Sequence, residues 1–175
     1  LYNFFSQKGY KIIAVEPHPM NYTSLIKNIY RNKFEKYILP VNAACTSIVG
    51  VGNLNHWDDY DELEAGSSGH QFNSNITEEG DVFNPCLIQP IMGLPIDHLV
   101  KMYGYCPNAI KVDVDGHELE VLMGAKETLK NKFLETFLIE VNKDEVEIRN
   151  IFQSNGFKLK SVGIHNNLIF ERIQS

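Results

Sequence analysis

The stretch Ala109-Ile110-Lys111-Val112-Asp113-Val114-Asp115-Gly116-His117-Glu118 combines side chains able to do chemistry with a spacing that would expose them. One parity of the run (Ile110, Val112, Val114) is apolar, and the other carries Lys111, Asp113 and Asp115. A strand covered on both faces would be apolar throughout. Charges gathered at its carboxyl end fit the ligand crevice of an α/β sheet, the alternative being an edge strand with one solvated face. Asp113-Val114-Asp115 also matches D-x-D, an acid pair that holds Mg²⁺ or Mn²⁺ against a sugar-nucleotide diphosphate. His117 is placed either to act as a base or to cap the helix that follows.

A second group lies near the start. Glu16 follows the β-rich run Tyr10–Val15 and could accept hydrogen bonds from both hydroxyls of a ribose. Pro17 and Pro19 fix the chain behind it, and His18 could contact the same ribose. At Asn42, Ala43 and Ala44 small residues would let backbone approach an adenine ring, and an amide could read its edge. Glu140 closes another apolar run, Thr136 to Asn142. No metal is expected; Asp113, Glu140 and Asn142 would be the oxygen ligands of a metal-assisted variant. There is no G-x-S-x-G and no cysteine with a partnered histidine in view.

The elements that must position these residues follow from periodicity. Residues 1–8 read as the end of a helix closed by Gly9. Pro19 opens a helix with Tyr22, Leu25, Ile26 and Ile29 on one face. A strand over about Tyr37–Ala43 completes an α-β-α-β rhythm, that of a parallel sheet with crossover helices. From about Gly50 to Met92 the rhythm stops. The acidic His56-Trp57-Asp58-Asp59-Tyr60-Asp61-Glu62 and the turn Gly66-Ser67-Ser68-Gly69 predict a lid or substrate excursion of short strands. Helices are expected over Ile96–Tyr103, 117–131 and Asp144–Ser154, the last stopped by Asn155-Gly156. Strands Phe157–Val162 and Leu168–Arg172 flank Gly163–Asn167 as an antiparallel hairpin.

Composition bounds the function. A chain of 175 residues suits one domain with a sizeable core. A net charge of −6 and the lack of a basic patch argue against nucleic acid. No apolar run approaches the roughly 20 residues that span a bilayer. Cys45, Cys86 and Cys106, odd in number and without a C-x-x-C pair, read as reduced thiols of a cytoplasmic protein.

Taken in order, several motifs resemble those of the FkbM-type S-adenosylmethionine-dependent methyltransferases. They are Val15-Glu16-Pro17-His18-Pro19 with Leu25 and Asn28, then Ala43-Ala44 with Gly50, and Leu94-Pro95-Ile96-Asp97-His98-Leu99. Ile110 to Glu118 with Leu122 and Gly124-Ala125 follows, and Leu138-Ile139-Glu140 closes the series. The resemblance implies an α/β fold with the Rossmann-like class I methyltransferase sheet and S-adenosyl-L-methionine as cofactor. It also implies methyl transfer to a hydroxyl of a sugar, glycan or small metabolite. By it, Glu16 would bind the cofactor ribose, Asn42–Ala44 would flank adenine, and Asp113 would stand near the transferred methyl. Asp113 is then the first choice as proton acceptor, with Glu140 and His117 behind it. Asp115 stands where the family more often has Glu. The family's first strand and glycine-rich turn would precede Leu1, so residues 1–175 read as one N-terminally incomplete domain with 50–92 as its lid. Without that central strand, the strands carrying Glu16 and Asp113 would have no common neighbour, and this stretch alone would bind cofactor weakly. The rival readings are a metal-dependent glycosyltransferase using Asp113 and Asp115, and a binding domain that has lost turnover.

Overall fold

Strand β1 (Ile12–Val15) pairs in parallel with β2 (Ile38–Val41), Ile12 opposite Ile38 and Val15 opposite Val41. Two parallel strands need a crossover, and helix α1 (Pro19–Arg31) supplies it. Proline at the first helical position is tolerated because its missing N–H would have no helical acceptor. Ile29 is buried. These features belong to a computed structural model that describes residues 11–57, 66, 69–77, 79–164 and 166–174. The helix expected over 1–8 with Gly9, the acidic run from Asp58 to Glu62 with Tyr60, and Ser67-Ser68 lie outside the described residues.

The chain divides into two compact units. The first takes the described residues up to Ala44, of Val51–Asn75 and of Phe83–Met92; the second takes those of Cys45–Gly50, Ile76–Val82 and from Gly93 onward. A sheet ordered β3 (Ala44–Cys45), β6 (Leu87–Leu94), β4 (Gly50–His56), β5 (Gln71–Phe72) lies mostly in the first unit. The excursion is thus strand-built, but β4 and β6 run to 7 and 8 residues, longer than expected. Gly52, Asn53 and Asn55 are poor strand formers, and tertiary contacts override that preference. A side chain at Gly52 would collide with the Phe72 ring, the ideal Cβ lying 2.1 Å from it. Asn73, at φ 54°, donates its backbone N–H to Asn53 O at 2.7 Å and accepts from Asn53 N on its side-chain oxygen at 2.8 Å. Ala44, Leu54 and Ile91 form a small core against Phe72.

In the second unit β7 (Ala109–Val112) runs parallel to β8 (Thr136–Glu140), with Val112 opposite Ile139. β10 (Asn167–Arg172) lies antiparallel on the other side of β8, and β9 (Phe157–Val162) closes the order β7-β8-β10-β9. The terminal hairpin therefore forms where the sequence places it. Helices α2 (Ile96–Tyr103), α3 (Glu118–Met123), α4 (Lys126–Lys130) and α5 (Glu145–Ser154) complete the unit. Phe137, Phe152, Phe157 and Phe170 pack ring to ring, Phe152 stacking on Phe170 at 4.0 Å. Truncating a phenylalanine buried like Phe152 costs about 3–5 kcal/mol. Arg172 holds the carbonyls of Leu134, Leu129, Asn131 and Asn155, orphan acceptors at element ends.

The single helix expected over 117–131 is two helices. An ideal Cβ on Gly124 would sit 2.1 Å from the Thr46 carbonyl oxygen, so a close backbone approach requires glycine there. Asp97 then starts α4 from outside, accepting from Glu127 N at 2.9 Å, Thr128 N at 2.8 Å and Thr128 Oγ1 at 2.6 Å. The architecture is a mixed α/β fold with several sheets. Among the described residues no strand pairs with both β1 and β7, which belong to separate sheets. No described helix is long and apolar enough to cross a membrane.

Candidate functional site

In the first unit the parallel ladder carries one residue past β1, where Glu16 N donates to Val41 O at 3.0 Å. Pro17 and Pro19 forbid further strand, and the chain turns into α1. That turn is fastened twice. His18 N donates to Glu16 Oε1 at 2.8 Å, and Asn42 Nδ2 donates to the carbonyls of Glu16 at 2.8 Å and Pro17 at 3.2 Å. Burial pushes the Glu16 carboxyl up from its ordinary value, and the His18 N–H pulls partly the other way. Ala43 and Ala44 follow, both buried. The structure thus brings Glu16, Asn42, Ala43 and Ala44 to one strand edge. The Asn42 amide N–H₂, expected at an adenine, is committed to the backbone behind Glu16.

The ring of His18 is only 1% exposed. Its Nδ1 accepts from Asn21 N at 3.4 Å as the helix N-cap, and its backbone N–H, not its ring, serves Glu16. The ring lies among two histidines that no motif singled out. It stacks on His70 at 4.3 Å and is tilted against His56 at 5.0 Å, with His56 and His70 4.9 Å apart.

In the second unit Asp113 and Glu140 stand at the carboxyl ends of the adjacent parallel strands β7 and β8. Lys111 Nζ donates to Asp113 Oδ2 at 2.5 Å, with both side chains more than half exposed. That lysine holds the Asp113 carboxyl below the usual range, against some desolvation and with a smaller contribution from hydrogen bonding with Glu140. A cation already sits on this carboxylate, which weakens the D-x-D metal reading. Glu140 Oε2 accepts from Asn167 at 3.4 Å, and Asn142 Oδ1 from Asn166 at 3.1 Å.

His117 sits at the start of α3 without acting as a side-chain cap. Burial lowers its pKa, with Lys143 adding to the effect and Glu120 and Asp115 opposing it. Its Nε2 is buried and has no hydrogen-bond partner among the described residues, an uncommon condition for a buried polar atom. The turn before it depends on Glu118. This carboxylate is 1% exposed, and its Oε1 accepts from the N–H of Gly116, whose φ is 80°. Glu118 had a sequence signal, an acid closing the K-x-D-x-D-G-x-E run. His56 and His70 had none, because their neighbours are distant in sequence.

A family model described as the Methyltransferase FkbM domain matches residues 1–159. None of the curated proteins matches. Among solved structures, the fold is similar to the crystal structure of Methyltransferase FkbM from Methylobacillus flagellatus KT. The TM-score is 0.59 and the identity 14%, over 96% of this chain and 39% of that one. The chain therefore spans well under half the length of that protein.

Proposed function

Because this chain belongs to the FkbM methyltransferase domain family, we propose that it takes part in methyl transfer from S-adenosylmethionine to a hydroxyl of a sugar or small metabolite. The observation that carries the cofactor reading is the fastened turn at Glu16. A half-buried carboxylate at the end of a parallel strand, held by a backbone N–H, suits the paired hydroxyls of a ribose. Ala43 and Ala44 at the end of the neighbouring strand are small and buried, Ala44 within the small core against Phe72. Asn42 and His18 support Glu16 from behind.

When bound, S-adenosylmethionine supplies a methyl group made electrophilic by its sulfonium charge. In the second unit, Asp113 stays ionised beside Lys111 and acts as a fixed charge. A depressed pKa makes it a poor proton acceptor at neutral pH, because a general base works best when poised near the working pH. His117 fits that task better. Burial keeps its imidazole neutral, so it has a lone pair to take the hydroxyl proton. The antiparallel β10 next to β8 also supports the class I methyltransferase reading. Three free cysteines agree with a reducing compartment.

Calorimetry on the purified protein tests the proposal. Glu16→Ala should weaken S-adenosylmethionine binding by about 1.5–3 kcal/mol per lost charged hydrogen bond, and lower the melting temperature only by what the lost His18 N–H bond contributes. The wild-type affinity should fall on acidification at a higher pH than for an ordinary carboxylate, since the raised Glu16 pKa brings protonation earlier. An unchanged dissociation constant in the variant removes the ribose assignment.

A further inference from the structure

We propose that His18, His56 and His70 form a three-nitrogen site for a divalent transition-metal ion of the zinc type. One ring nitrogen from each residue lies within 4.8 Å of the other two. The three side chains come from distant parts of the first unit. His18 starts α1, His56 ends β4 and His70 precedes β5. β4 and β5 pair Leu54 with Phe72 and Asn55 with Gln71, so the next step of that register sets His56 opposite His70. Directly opposed residues of an antiparallel pair project from the same face, and the start of α1 brings the third ring onto it.

One ring, that of His56, is held from outside as metal-binding imidazoles are. His56 Nε2 meets the side-chain Oε1 of Gln89 at 3.1 Å. That oxygen only accepts, so it fixes the proton on Nε2 and turns the Nδ1 lone pair toward a ligand. Asn21 N approaches Nδ1 of His18 and Trp57 N approaches Nδ1 of His70, both at 3.4 Å. Coordination through Nε2 asks these two rings to carry their proton on Nδ1. The contacts given up are at the long, weak end of hydrogen bonding. Metal–nitrogen bonds of about 2.0–2.1 Å draw tetrahedral donors to roughly 3.4 Å apart, so the rings close in by at most about 1.4 Å.

The donor set chooses the ion. Among the described residues the donors are three imidazoles, a set that suits Zn²⁺, Cu²⁺ or Ni²⁺ better than Mg²⁺, Ca²⁺ or Mn²⁺, which prefer oxygen. His18 and His56 are buried, and desolvation lowers the His70 pKa to about 4, so that ring offers a lone pair at neutral pH. Three protein ligands would leave a fourth position for water or a substrate oxygen.

The test uses the purified full-length protein, stripped with a chelator and titrated with Zn²⁺ by calorimetry, then with Co²⁺ by visible absorption. We expect one ion per chain, no thiolate-to-cobalt charge-transfer band, and a higher melting temperature with Zn²⁺. Gln89→Ala, which leaves all three ligands in place, should weaken Zn²⁺ binding 10–100-fold. His56→Ala and His70→Ala should weaken it at least as much. If either histidine variant fails to fold, Gln89→Ala decides. Absence of stoichiometric binding, a thiolate band, or unchanged affinity in Gln89→Ala overturns the site. All these readouts are independent of methyl transfer and of S-adenosylmethionine binding.

Discussion

The two strand-end acids of this molecule, Glu16 after β1 and Asp113 after β7, occupy similar backbone positions in opposite electrostatic settings. Glu16 is half-buried, takes a backbone N–H, and has its pKa raised by desolvation. Asp113 is more than half exposed, takes a lysine ammonium, and has its pKa lowered. The contrast extends to the neighbouring imidazoles. Around His18 the first unit gathers three imidazole rings, whereas His117 feels Lys143, Glu120 and Asp115. A half-buried carboxylate held by a backbone dipole keeps acceptor capacity without a paired cation. One paired with a lysine in solvent is a stable charge and a weak base.

Three experiments would break or sharpen that contrast. The largest effect belongs to the acceptor role. His117→Gln should lower turnover by about 10²–10⁴, while Asp113→Asn should cost less and leave the pH dependence of the rate in place. If Asp113→Asn costs as much and abolishes the acidic limb of the profile, Asp113 is the base and the contrast between the two acids is mistaken.

Next in size is an acid effect in the first unit. The folded pKa of His70, about 4, lies below its ordinary value of 6.5. The unfolded chain therefore binds this proton more readily, so the contribution to stability is present above about pH 6.5 and is lost as the pH falls toward 4. Allowing for partial solvent screening, the loss is on the order of 1–2 kcal/mol. Urea unfolding of the chelator-stripped, metal-free protein at pH 7 and pH 4.5 should show a smaller acid loss in His70→Gln than in wild type. Equal losses would mean that burial of this ring does not govern its titration.

The smallest effect concerns the exposed ion pair. Lys111→Met should change stability by less than about 1 kcal/mol, as solvent-exposed pairs contribute little. It should nevertheless raise the Asp113 pKa toward its ordinary value, because the lysine is the main cause of the depression. NMR titration of the Asp113 carboxyl reads this directly, and an unmoved midpoint would assign the depression to another group.

Periodicity and punctuation carried much of this structure. Pro19 after His18, the β-branched runs before Glu16 and Asp113, and Asn155-Gly156 place helix and strand by local sterics alone, and those elements lie where the sequence sets them. The motif residues Glu16, Asn42 and Asp113 were legible because a polar residue at the end of an apolar run is a local anomaly. The break at Gly124 was not, because the reason for it is the Thr46 carbonyl, far away in sequence. Nor was the length of the excursion's strands, since Gly52, Asn53 and Asn55 of β4 oppose strand formation until Asn73 and Ser74 bond to them. The meeting of His18, His56 and His70 lies furthest from sequence reading. Each histidine alone is ordinary, and their chemistry comes from a strand register and a helix start that only the folded chain brings together.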